Sequence, residues 1–190
     1  MVATYTALLD ANVLYSMPVT DLLLELASTG HYRARWSDDI HDEWVNAVIK
    51  TRPDLPEKAI NVRRARMDKA IPQALVTGYH EIIESLNLPD PDDRHVLAAA
   101  IVGRADVVVT YNLKDFPEEA LTPYGIEVQH PDEFLNYQRT LNEPLFIQCV
   151  KEIRGRLSQP KYSAEEYIRT LRRFHLHIIA DELTKVQGLI

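Results

Sequence analysis

The stretch DPDDRHVLAAAIVGRADVVVT, residues 90–110, sets an acidic helix mouth in front of two apolar runs. Asp90, Asp92 and Asp93 precede Val96-Leu97-Ala98-Ala99-Ala100-Ile101-Val102, and Gly103 follows. A helix start carries unpaired N–H groups and partial positive charge, so an acid stabilises it, and Pro91 suits the entry. The pattern predicts a helix from about Asp92 to Val102, closed by Gly103. Asp106-Val107-Val108-Val109-Thr110 then reads as a buried strand. Three acids exceed what one helix end needs. Like charges repel unless a cation or a basic partner sits among them.

The same alternation of strand and helix extends to both sides. Tyr5-Thr6-Ala7-Leu8-Leu9 predicts a first buried strand ended by Asp10-Ala11-Asn12, and Pro18 opens a helix that Gly30 stops. Arg33 to Trp36 is a short extended piece, and Ser37 caps a helix to about Lys50. A polar helix spans Glu57 to Ala70, bounded by Pro56 and Pro72. Ala74-Leu75-Val76 and Ile126-Glu127-Val128 are short strands, Tyr79–Leu86 a helical turn or two, and Pro131 starts a helix to Tyr137. Such alternation implies a mainly parallel α/β sheet, whose ligands lie beyond the carboxyl ends of the strands.

The tail differs. Glu143–Leu157 is a helix candidate, and Pro160 breaks it. Ser163-Ala164-Glu165-Glu166 is a capping box opening one helix through about Lys185, with Ile168, Leu171, Phe174, Ile178 and Leu183 at helical spacing. Two units follow: 1–137, an α/β domain, and 138–190, a helical C-terminal extension.

Composition narrows the function. The net charge of −7 is uneven: residues 1–137 hold 12 Lys+Arg against 22 Asp+Glu, whereas 138–190 hold 9 against 6. Acidity of this kind argues against nucleic-acid binding unless the acids converge on divalent ions. No apolar run is long enough to span a bilayer. The start, Met1 to Thr6, has no signal-peptide pattern, and the lone Cys149 fits a reducing cytoplasm.

Four acidic groups fall at element ends. Asp10 follows Leu8-Leu9, and Glu43 borders an apolar stripe of Ile40, Trp44, Ala47 and Val48. Asp92 and Asp93 form the third group, and Asp115 with Asn112 nearby the fourth. Taken singly, Asp10 also suits a turn cap and Glu43 also suits solvent. Oxygen ligands from separate elements suit Mg²⁺ or Mn²⁺. The histidines form no ligand motif and read mostly as surface residues, with His175 and His177 on different faces of one helix. A P-loop and a Gly-rich dinucleotide turn are both missing from the sequence.

The order LLDANVLYS, DEW, DPDDRHVLAAAI and ADVVVTYNLKDFP resembles the PIN domain, most closely its VapC toxin branch, over roughly residues 5–137. The resemblance implies a PIN-like three-layer α/β/α sandwich and a ribonuclease using Mg²⁺ or Mn²⁺. It implies an RNA substrate, a cognate antitoxin and a homodimer, with no membrane association. By position it makes Asp10, Glu43 and Asp93 the catalytic acids. The family's fourth acid is replaced by Asn112; Asp115 either substitutes for it or caps the turn into Phe116-Pro117. The metal candidates are thus Asp10, Glu43, Asp92, Asp93, Asn112 and Asp115. Two basic blocks, containing Arg63, Arg64 and Arg66 and then Arg172 and Arg173, are candidates for RNA or partner binding, or are solvated helix faces. A haloacid-dehalogenase phosphatase would want an Asp where Asn12 stands. A PIN-like module that binds without cutting is the other alternative.

Overall fold

Thr6–Leu9 forms strand β1, four apolar or small residues that are all buried. A strand covered on both faces belongs inside a parallel sheet with helices above and below. The computed structural model describes residues 5–157 and 161–190, so the expected break at Pro160 and the first four residues lie outside the described residues. β1 is flanked by β2 (Arg33–Ser37) and β4 (Val107–Val109), with β3 (Leu75–Val76) and β5 (Glu127–Gln129) at the edges. The order is β3-β2-β1-β4-β5, and every pair is parallel. Ala7 sits opposite both Ala34 and Val107. The chain moves outward from β1 to β3, then returns to lay β4 on the other side of β1. This reversal opens a crevice at the carboxyl ends of β1 and β4.

Helices cover the sheet. α1 (Ala11–Tyr15) and α2 (Met17–Ser28) follow β1. α3 (Asp38–Thr51) and α4 (Glu57–Ala70) follow β2. α5 (Arg94–Val102) packs across β1, β2 and β4. α6 (Glu118–Leu121) precedes β5, and α7 (Pro131–Leu141) follows it. α8 (Glu143–Arg156), α9 (Ala164–Arg173) and α10 (His177–Lys185) complete the chain. α8 and α9 pack on α2, and α10 packs on α7. The result is a three-layer α/β/α sandwich with C-terminal helices.

Trp36 of β2, His41 of α3 and Asp68 of α4 tie the outer helices to the sheet. The indole Nε1–H of Trp36 donates to Asp68 Oδ1 at 2.9 Å, and His41 Nε2 lies 3.0 Å from the same oxygen. Trp44 Nε1–H donates to His41 Nδ1 at 2.8 Å. Indole can only donate, so His41 accepts at Nδ1 and carries its proton on Nε2. Burial lowers the His41 pKa, against the raising effect of Asp68.

Several expectations need correction. The helix expected over 163–185 is two helices, although its capping box is present. His175 at the break takes φ 60°, and the Leu176 N–H turns back to Leu171 O at 3.1 Å. His175 therefore lies outside any helix, and its ring is 6.1 Å from that of His177. Ile178 is consequently exposed while Ile179 is buried. On α3 the buried face is Ile40, His41, Trp44, Val45 and Val48, and Ala47 faces solvent. His41 and His95 are buried, not surface residues. Gly103 does close α5, but in a right-handed conformation; the left-handed residue is Arg104. Glycine is needed at 103 for closeness, since a Cβ there would stand 2.8 Å from Ala99 O and from Val76 Cγ2.

Candidate active site at the carboxyl ends of β1 and β4

Asp10 is the first residue beyond β1, and its N–H still pairs with Val109 O of β4 at 3.1 Å. Its side chain is almost fully buried and held on both oxygens. Oδ1 accepts the Ala11 N–H at 2.6 Å, which caps α1. Oδ2 accepts the Thr110 hydroxyl at 2.6 Å and Asn12 Nδ2–H at 2.6 Å. Asn12 also donates to Thr110 Oγ1 at 2.9 Å and accepts the Tyr111 N–H at Oδ1, 3.1 Å. Thr110 Oγ1 further accepts the Asn112 N–H at 3.0 Å. The first carboxylate is thus fixed across the two strand ends by Asn12 and Thr110. Sequence reasoning missed the role of both, although both stand in the quoted motifs.

The mouth of α5 supplies the next acids. Asp90 accepts the Asp92 N–H at 2.9 Å and caps a short 3₁₀ turn, Pro91–Asp93, that leads into α5. Asp90 and Pro91 thus shape the turn into α5. Asp92 is exposed, whereas Asp93 is half-buried. Burial first, and then the charges of Asp10, Asp90, Asp115 and Glu43, raise the Asp93 pKa to about 6. Asp10 is also raised to about 6, chiefly by burial and further by Glu43, against the lowering bonds from Thr110 and Ala11. Asp10, Glu43, Asp93 and Asp115 therefore share one field. Asp115 is half-buried in the 3₁₀ turn Leu113–Asp115 after β4, whereas the Asn112 side chain is exposed.

Glu43 of α3 is linked to α5 instead. Its Oε1 lies 2.8 Å from His95 Nε2, a partner that sequence reasoning missed and that the acid-rich DPDDRH motif itself contains. Burial works against the charged imidazole, but the hydrogen bond and charge of Glu43 outweigh it and raise the His95 pKa. Among the described residues, Asp10, Asp93 and Asp115 have no ion pair with Lys or Arg. As the side chains stand, no three His, Cys, Asp or Glu groups among the described residues close on a single point. Glu43 is turned to His95, and Asp10 is engaged by Ala11, Asn12 and Thr110.

The first basic block is largely committed to the fold. Arg63 donates to Leu14 O, Tyr15 O and Thr20 Oγ1 and stacks 4.6 Å from the Trp44 ring centroid. Arg64 pairs with Asp38 and Asp42. Neither guanidinium is placed to track phosphates; Arg66 is exposed. In the second block Arg172 pairs with Asp181, and Arg173 is exposed. A cavity of about 640 Å³ between α2 and α4 is mostly apolar and includes none of the four carboxylates.

A model of the PIN domain matches residues 6–114, more than half of the sequence. The chain belongs to the PIN-domain family. A second model, described as the VapC50 C-terminal domain, matches residues 131–185. Over 70 residues the chain is 51% identical to a Mycobacterium tuberculosis protein named "Putative ribonuclease VapC50". That alignment covers 37% of this chain and 41% of the relative, so the chain spans less than half of it in the matched region. No solved structure matches. Among the described residues, no helix is long and apolar enough to cross a membrane.

Proposed function

We propose that this chain is a Mg²⁺- or Mn²⁺-dependent endoribonuclease, the toxin of a toxin–antitoxin pair, acting in the cytoplasm. The observation that carries this reading is the group of Asp10, Asp93 and Asp115 at the β1–β4 crevice, without Lys or Arg partners among the described residues, with Glu43 in the same field. Acids so placed raise one another's pKa, and a divalent cation removes that repulsion. The donor set is all oxygen and comes from separate elements, which fits Mg²⁺ or Mn²⁺. The name of the M. tuberculosis relative supports RNA as the substrate class. The C-terminal match supports a division of the chain into a nuclease domain and a helical extension.

Asp10, Asp93 and Asp115 would hold the ion, and the exposed Asp92 and Asn112 lie outside that set. A bound divalent cation supplies Lewis acidity, acidifying water and offsetting charge on phosphodiester oxygens. Asn12 and Thr110 keep Asp10 in one orientation. Glu43, oriented by His95, holds the attacking water and takes its proton. Hydrolysis leaves a 5′-phosphate and a 3′-hydroxyl. The test incubates purified protein with structured RNAs and Mg²⁺ or Mn²⁺, beside Asp10→Asn and Asp93→Asn. Cleavage by the wild type alone, abolished by chelator, is the expected result. Cleavage that survives in both variants, or in excess chelator, defeats the proposal.

A further inference from the structure

Four rings gather where the C-terminal helices meet the sheet. Tyr111 follows β4 and His130 follows β5, so both stand at strand carboxyl ends beside the crevice. Their ring centroids are 5.0 Å apart, edge to face. His175 lies 6.3 Å from Tyr111 and 6.1 Å from His177. Tyr111 is also one hydrogen bond from the residue that orients Asp10, through its N–H on Asn12.

The corner between α9 and α10 is fastened at two points. The Tyr111 hydroxyl donates to Phe174 O at 2.7 Å. The buried Asp132 carboxylate accepts the Ile178 and Ile179 N–H groups at 2.7 and 3.0 Å, capping α10 from the start of α7. Between these anchors His175 is held at φ 60°, an unusual conformation for a residue other than glycine. Strain of this kind is kept where surrounding structure fixes it, and it is concentrated at functional sites. The anchors use Tyr111 and Asp132 side chains and the backbone of the corner. The imidazoles of His175 and His177 take no part in them and are exposed. Arg173, the last residue of α9, is exposed two positions before His175.

We propose that Tyr111, His175 and His177 form a docking rim for a single-stranded RNA segment entering the β1–β4 crevice, with Arg173 as a phosphate contact. The exposed imidazoles of His175 and His177 suit unpaired bases, which stack on imidazole faces, and the half-buried Tyr111 anchors the corner that carries them. Tyr111, through its N–H on the Asn12 that supports Asp10, joins the rim to the end of the sheet that bears the carboxylates. The C-terminal segment then supplies grip that the acidic first domain lacks. This inference rests on the ribonuclease reading.

The experiment measures anisotropy of a fluorescein-labelled 12-nucleotide RNA in Mg²⁺, using Asp93→Asn as the background in which cutting is blocked. His175→Asn with His177→Asn tolerates the left-handed corner while removing the rings. Equal melting temperatures check that the corner survives, and His177→Tyr alone restores a stacking face. Loss of one stacked base corresponds to a roughly 5- to 150-fold weaker Kd. The rim is supported by weakening of that size, recovery with His177→Tyr, and a raised KM at little-changed kcat in the Asp93-containing enzyme. Equal RNA binding by the double variant overturns the rim, leaves the nuclease reading intact and gives the corner to a protein partner. RNA binding that depends on His175 and His177, in a wild type that never cuts, supports the rim and overturns the nuclease reading. No RNA binding by any form overturns both.

Discussion

Glu43 and His95, 52 positions apart, meet at 2.8 Å and join α3 to α5, the helix that Asp93 precedes. Among the described residues the buried His95 Nδ1 has no hydrogen-bond partner. An unused lone pair there is less costly than an unused N–H, so the geometry favours the proton on Nε2, donated to Glu43. In the proposed mechanism His95 acts on the reaction through Glu43. His95→Ala is expected to lower kcat about 10–100-fold, the usual effect of removing a partner that orients a site carboxylate, with little change in KM. His95→Gln, which keeps an N–H donor, should recover part of it. Steady-state cleavage of one defined RNA checks this; unchanged kcat in His95→Ala refutes it.

Removing the ion should be visible without any substrate. A ligand at a hundred times its Kd stabilises a fold by about 2.7 kcal/mol. For a chain of this size that is roughly 5–10 °C in melting temperature. Mn²⁺ is expected to raise the melting temperature of the wild type by about that amount, reversibly with chelator. Asp10→Asn should flatten the response, because Asp10 is the acid best fixed by its neighbours, through Ala11, Asn12 and Thr110. Differential scanning calorimetry with and without Mn²⁺ decides it. An equal rise in Asp10→Asn would place the ion elsewhere.

His41 gives the fold a pH dependence of known sign. Its folded pKa is lowered below the ordinary value of 6.5. As pH falls through 6.5 the unfolded chain takes up the proton first, so this stability is complete above 6.5 and is lost as acid is added. Protonation would also bring a second N–H against the indole of Trp44. Asp10 and Asp93, raised to about 6, act in the opposite direction between their ordinary values and about 6. The histidine contribution is therefore read as a difference. Between pH 7.5 and 5.5 the wild type should lose more unfolding free energy in urea than His41→Gln does. Parallel losses would show that His41 stays neutral in both states or titrates alike in both.

What was legible in the sequence follows the range of the forces that set it. The bounds of α4 coincide with expectation because Pro56 and Pro72 act within a residue or two, and Ser37 caps α3 just as locally. Asp10 was legible because it ends a buried strand. The partner of Glu43 was not, because spacing within α3 says nothing of α5. The break in the tail was hidden for the same reason. Neither Gly nor Pro stands at 174–176; the corner is imposed by Tyr111 and Asp132, more than 40 positions away. Within 163–185 the apolar spacing suits one helix, and tertiary bonds from Tyr111 and Asp132 hold the local turn at His175 that cuts it in two.

Arg63 and Arg66, neighbours in one basic block, should separate cleanly by experiment. Burial pushes the Arg63 pKa down to about 10, with Asp21 acting in the opposite sense. Its guanidinium closes the carboxyl end of α1 through Leu14 O and Tyr15 O and stacks on Trp44. Arg63→Met keeps the apolar stem but leaves those carbonyls without their donor, a loss of about 2 kcal/mol in urea unfolding. Because Arg63 faces the fold, the salt dependence of RNA binding should not change. Arg66 is exposed, and Arg66→Gln should be neutral for stability. If Arg66 contacts a phosphate, the slope of log binding constant against log salt falls by about 0.7 for a single strand. Should Arg63→Met instead weaken RNA binding at unchanged stability, its buried hydrogen bonds would not describe the working protein.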